Sequence, residues 1–282
     1  MRKKRVLKKK RLEFKKDMFK FFLIIVLFCA LLGYSLSNIF AWNIDNIKTN
    51  RQIDKINMSV KIEKVRNEDN VEIIEQEEEI PEFNPYWDYL NVDLINVNIS
   101  ELKDINKDTV GWIQVKGTNV NYPFVQTNDN KYYLSHSFNK KYNKSGWVFM
   151  DYRNNRDGNN KNTILYAHGR DDGTMFGTLN KIIDNGWFDN LDNHIIKVST
   201  EHQNTLWQVF SVYHIPTTSD YLKVEFTDDQ EFLNFVTKLK NRSNLNFETS
   251  VSGSDSIITL STCYNKQEKL VVHAKLIKKE VK

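Results

Sequence analysis

The chain has 282 residues, 40% hydrophobic and 12% aromatic, which is ample for one folded domain with appendages. Its formal charge of +4 is concentrated at one end, where Arg2, Lys3, Lys4, Arg5, Lys8, Lys9, Lys10, Arg11, Lys15, Lys16 and Lys20 are opposed only by Glu13 and Asp17. The remainder is slightly acidic, which argues against nucleic acid as a partner and leaves the basic arm to explain.

The arm, residues 1–20, runs directly into FFLIIVLFCALLGYSLSNIFAW, Phe21 to Trp42, close to the ~20 apolar residues that a membrane-spanning helix needs. By the positive-inside rule the arm stays cytoplasmic and the chain after Trp42 lies outside, tethered as a single-pass membrane protein. Tyr34, Phe40 and Trp42 suit the outer interface, and Cys29 packs against lipid. Ser35 and Ser37 keep a cleaved signal peptide open as the other reading, although apolar residues continue past them.

Residues 43–85 read as an extracytoplasmic stalk, partly helical: Ile44, Ile47, Ile53 and Ile56 recur at helical spacing, and Glu75, Glu77, Glu78 and Glu79 form a solvated cluster. Pro81 and Pro85 close it, and PYWDYL opens a domain expected over residues 86–282. Ser100 is placed to cap a short helix through Asn106. From there the pattern alternates. GWIQVKG, NVNYPFVQ, SGWVFMDY, NTILYAHG, HIIKVST, NTLWQVFSVYHI, SIITLSTC and KLVVHAKLIKK are β-branched or alternating segments between turn formers. About eight short strands with few helices predict a mainly β fold, a closed barrel in preference to a parallel sheet. Two helical segments interrupt the series, MFGTLNKIID and DDQEFLNFVTKLKNRS. In the second, Phe232, Phe235, Val236 and Leu239 form one stripe behind an Asp228/Glu231 capping box.

Cys263 ends the β-branched run SIITLSTC at the edge of a polar loop, and outside the apolar span the sequence offers it no disulfide partner. It reads either as a small buried residue or as a nucleophile, which needs a group to handle its proton. Among the histidines, His136, His194 and His202 lie in turn-like surroundings, and His214 and His273 fall within strands. His168 alone ends an apolar run, TILYA, and precedes a glycine. No HxxxH, CxxC or glycine-rich phosphate loop is present, so no metal or other cofactor is expected.

TLSTC, Thr259 to Cys263, resembles the TLxTC signature of the sortases, membrane-anchored cysteine transpeptidases of Gram-positive bacteria. VGWIQVKGTNVNYPFVQTNDNKYYLSH is similar to the opening strands of class B sortases, LYAHGRDDGTMFGTL resembles their histidine segment, and the helix at 228–240 fits the same class. The resemblance covers about residues 86–278. It implies a sortase-type β-barrel in which Cys263 attacks the carbonyl after the threonine of a C-terminal sorting signal, of Asn-Pro-x-Thr type, on secreted proteins. An amine of peptidoglycan or its precursor would then resolve the thioacyl-enzyme.

The resemblance further implies that His168 is the general acid and base. Lys269 stands where the family has an arginine; the substitution keeps the charge and loses the planar two-donor fork, and an exposed strand-edge lysine is the alternative. By weaker analogy Asn130, Leu134, Thr217, Tyr221, Leu222, Ser261 and Thr262 would line the peptide groove. A cysteine peptidase hydrolysing the same intermediate, and a weakly catalytic module that binds wall-sorted peptides, remain the competing readings.

Overall fold

The computed structural model describes the backbone of residues 2–65, 71–74, 86–263 and 267–282, and the side chains of all of these except residues 2–13, 86, 87, 185 and 263. The acidic cluster Glu75 to Glu79 and the prolines Pro81 and Pro85 lie outside the described residues. Two compact units divide the chain, Met1–Lys48 and Thr49–Lys282.

The first unit belongs to helix α1 (Arg2–Ser59), which is long and apolar enough to cross a membrane. Leu23, Ile24, Phe28, Leu31 and Phe40 are all exposed on it, as is Cys29. Such a surface is unfavourable in water and stable in hydrocarbon.

The second unit reaches N-terminal of the boundary expected at residue 86. Ile56, in the last turns of α1, is buried in the main core, and the Thr49 hydroxyl donates to Ser145 Oγ at 3.0 Å. Strand β1 (Ile62–Val65) pairs with a later strand, and β2 (Val71–Ile73) joins the main sheet. After α2 (Tyr86–Leu90) comes β3 (Leu94–Val97), the antiparallel partner of β1. Lysine amines fasten this segment. Lys278 Nζ donates to the carbonyls of Leu90 and Val92 at 3.0 Å, and Lys197 Nζ to that of Asp93 at 2.6 Å. The segment expected as a partly helical stalk thus contributes β1, paired with β3, and β2, paired with the last barrel strand.

Helix α3 (Ile99–Ile105) is capped by Asn98, whose side chain accepts from Ser100 N, and not by Ser100 itself. The strands that follow are β4 (Thr109–Val115), β5 (Asn121–Val125), β6 (Phe149–Met150) and β7 (Asn162–Ala167). A 3₁₀ helix over Gly177–Ile183 takes the place of the helix expected at Met175 to Asp184 and leads to α4 (Asn185–Phe188). Next come β8 (Ile195–Thr200), β9 (Gln203–Pro216), α5 (Asp229–Asn241), β10 (Ile257–Cys263) and β11 (Glu268–Val281).

The order β10-β7-β6-β5-β4-β8-β9-β11 closes on itself through the β10–β11 pairing, giving an eight-stranded barrel. Closure removes the free edges that such short strands would otherwise expose. Trp112, Phe124, Leu165, Val209, Leu260 and Val272 belong to the main core. Outside the barrel, the α5 stripe Phe232, Phe235, Val236 and Leu239 buries itself against Phe210, Tyr213, Tyr221, Ile257 and Val271. The cap of α5 forms as its sequence requires, with Asp228 Oδ1 accepting from Glu231 N at 2.7 Å. Glu231 reaches one residue further back than expected and accepts from Thr227 N.

Candidate active site

Strands β7 and β10 run parallel with Ala167 opposite Thr262, so His168 and Cys263 are the next positions out at the same end of neighbouring strands. Adjacent strands lie about 4.8 Å apart, which sets the main chains of the two residues side by side. On the other flank β11 is antiparallel to β10, with Lys269 opposite Cys263. Three strands thus bring His168, Cys263 and Lys269 into one row. The Cys263 side chain and residues 264–266 lie outside the described residues, so the row is defined by backbone register.

The imidazole of His168 is half-buried, with Nε2 2.7 Å from the carbonyl oxygen of Leu134. Leu134 ends a 3₁₀ turn, Tyr132–Leu134, which Asp129 starts by accepting from the amides of Lys131 and Tyr132. Those amides hold the Asp129 carboxyl below the usual carboxylate range. Gly146 approaches from the far end of the same loop with φ +61°. A Cβ there would stand 2.5 Å from Tyr133 O and 3.1 Å from the His168 ring. The main chain of His168 is fixed as well, because Phe176 N donates to its carbonyl at 3.0 Å.

A groove of about 310 Å³ opens beside this row. Asn130, Leu134, Thr217, Tyr221, Leu222, Ser261, Thr262, His168 and Lys269 all border it, together with Phe149, Tyr166, Ala167 and Thr218. Their accessibilities differ. Leu134 and Thr217 are exposed, whereas Tyr221 and Ser261 are buried and bond each other through their hydroxyls at 2.9 Å. Asn130 spends both ends of its carboxamide internally, Nδ2 on Asp151 and Oδ1 on the amide of Tyr152. Thr262 Oγ1 is buried, with no hydrogen-bond partner among the described residues. Tyr166 was not anticipated, although strand alternation places it on the same face of β7 as His168.

His273, in ring contact with Tyr221, is fully buried between Tyr213 and Thr259. The Thr259 hydroxyl donates to Asn162 Oδ1 at 2.7 Å and so accepts from His273 Nδ1, which leaves Nε2 to accept from Tyr213. Burial, aided by the Arg242 charge, pushes His273 down to about 3 and keeps it neutral. Its place is structural.

A closed barrel that sets a cysteine and a histidine on adjoining strand ends beside a groove has the residue types that thiol-dependent acyl transfer uses. Residues 113–277 match the family model of the sortase domain. Sortase B of Staphylococcus aureus (strain NCTC 8325 / PS 47) is 37% identical over 188 residues, covering 65% of this chain and 76% of that protein. A solved structure described as similar to sortase B, from Bacillus anthracis, is 34% identical and superposes with a TM-score of 0.63, covering 81% of this chain and 96% of that one. A sortase B complexed with triglycine is 36% identical with a TM-score of 0.61 over 64% of this chain and 85% of that one. The chain belongs to the sortase family. It is a sortase-type cysteine transpeptidase whose relatives lie in class B.

Proposed function

We propose that the Cys263 thiolate attacks the carbonyl carbon after the threonine of a C-terminal sorting signal, of Asn-Pro-x-Thr type, on secreted proteins. With Nε2 tied to Leu134 O, His168 exchanges protons through Nδ1. It gives a proton to the leaving amine as the peptide bond breaks and the thioester forms. An amine of peptidoglycan or its precursor then attacks the thioester, passes a proton back to His168 and returns Cys263 as thiolate. One acyl bond is exchanged for another, and no oxidant or metal takes part in these steps. Lys269 donates to the oxygen that becomes negative in each addition.

The observation that carries this reading is the row His168, Cys263, Lys269, set by register at the edge of a groove. The buried Thr262 hydroxyl, which has no partner among the described residues and borders the groove, supports a peptide contact there, because leaving such a group unmet costs about 1–3 kcal/mol. The triglycine held by a related sortase B supports a slim, glycine-type acceptor amine. In this reading residues 1–20 are cytoplasmic, Phe21 to Trp42 spans the membrane, and the rest of the chain, including the catalytic domain in 86–282, faces outward.

The test is a panel of sorting peptides incubated with the full chain in detergent, with and without triglycine. Transpeptidation yields a threonyl-triglycine product. Cleavage with no such product would mark a hydrolase, and binding without cleavage would mark a capture module.

A further inference from the structure

Asp151, directly after β6, is fully buried, yet neither the reaction nor the family motifs account for it. Oδ2 accepts from Asn130 Nδ2 at 3.0 Å, Tyr166 Oη at 2.7 Å and Arg153 Nη2 at 2.7 Å, while Oδ1 accepts from Arg153 Nε at 2.9 Å and its amide at 3.0 Å. The same Arg153 Nη2 donates to the carbonyl of Leu222 at 3.0 Å. Asn130, Tyr166 and Leu222 come from three separate stretches of chain, and all three border the groove. Burial works against the ionised form of Asp151. The Arg153 guanidinium, with the Tyr166 hydroxyl, outweighs it and holds the carboxyl below the usual carboxylate range.

We infer that Asp151 and Arg153 are positioning residues that hold the two walls of the groove, at Asn130 and Leu222, at a fixed separation over the Tyr166 floor and thereby set the affinity for the peptide. This rests on the groove being the peptide site, as proposed above. The chemistry favours it. A buried carboxylate with five donors is saturated and cannot itself exchange protons with substrate, and a planar guanidinium can grip Asp151 through two nitrogens while reaching a third oxygen. Lysine at 153 cannot do both.

The experiment compares full-length wild type, Arg153→Ala, Arg153→Lys and Asp151→Asn in detergent. Amide hydrogen exchange over 128–134 and 217–223 should quicken in each variant, most in Arg153→Ala, while alkylation of Cys263 by iodoacetamide, which needs no groove, stays within about twofold of wild type. KM for a cleaved sorting peptide should rise about tenfold or more in Arg153→Ala with kcat within about threefold, because uniform binding is lost and not the chemical step. Arg153→Lys should fall between, and serves as the readout if the alanine variant does not fold. Unchanged exchange in both walls overturns the inference whether or not the enzyme turns over. So does faster exchange with an unchanged KM. A wild type that processes no peptide of the panel instead removes the groove assignment on which the inference rests, and with it the claim about affinity.

Discussion

Nε2 of His168 stands 2.7 Å from the main-chain oxygen of Leu134, so the loop that forms one wall of the groove also orients the imidazole. That loop closes at Gly146, where positive φ and the approach of Tyr133 O and the His168 ring leave no room for a Cβ. Gly146→Ala should therefore displace Leu134 and the ring. Because about 1 Å of misplacement can cost 10²-fold, acylation should slow by about that order with the fold retained by circular dichroism. An unchanged acylation rate would separate this loop from the chemistry.

Lys269 faces Cys263 across the β10–β11 pair. If its amine stabilises the oxyanion, Lys269→Ala should slow acylation about 10²–10³-fold, the usual loss for one such donor. Lys269→Arg should match or exceed wild type, since the guanidinium restores a two-donor fork. Equal rates in all three proteins would make Lys269 a bystander at the strand edge.

Burial holds His273 at about 3 in the folded protein, well below its ordinary 6.5. Below about pH 6.5 the unfolded chain takes up a proton that the native site refuses, so this contribution is fully present above that pH and is lost as pH falls toward 3. His194 and His214 are also shifted down by burial and add the same sign. Thermal unfolding between pH 7 and 5.5, above the pH at which the unfolded chain's carboxylates take up protons, should show a falling midpoint. His273→Gln should lower the midpoint at pH 7 and flatten the slope. A slope equal to wild type in the variant would contradict the assignment.

Phe232, on the inward stripe of α5, is fully buried and meets Phe226 edge to face at 5.0 Å. Phe232→Ala should destabilise by about 3–5 kcal/mol, and Asp228→Ala, which removes the cap, by only about 1 kcal/mol, as read by denaturant unfolding. Equal losses would show that α5 is held by its cap and not by its stripe.

The eight barrel strands were legible because each is β-branched or alternating between turn formers. SGWVFMDY shrinks to the two residues of β6, Phe149 opposite Val125 and Tyr166, and Met150 opposite Leu165. Strands β1, β2 and β3 were not legible. They span 3–4 residues each, too short to carry a period, and exist through pairing and the lysine amines that fasten the segment beside them. The cap of α3 moved from Ser100 to Asn98 because both are capping types two residues apart. His168 and Cys263 stood out through motif and strand-end position. Asp151 did not, since its partners lie between residues 130 and 166 in sequence and meet only in the folded chain, with Leu222 joined through Arg153.

Topology has its own check. With residues 1–20 inside and Phe21 to Trp42 as the span, protease added to intact, wall-stripped cells should digest the C-terminal domain and spare the arm. Full protection of the domain would reverse the orientation.

The central claim, that Cys263 forms a thioacyl intermediate which an amine resolves, is tested most directly by intact-protein mass spectrometry of the full chain mixed with an Asn-Pro-x-Thr sorting peptide. The account predicts an adduct with the mass of the peptide up to its threonine, mapped to Cys263 and discharged on adding triglycine as a threonyl-triglycine product. Cys263→Ala should give neither adduct nor cleavage. Cleavage at the wild-type rate by Cys263→Ala, or an adduct on any other residue, would contradict it.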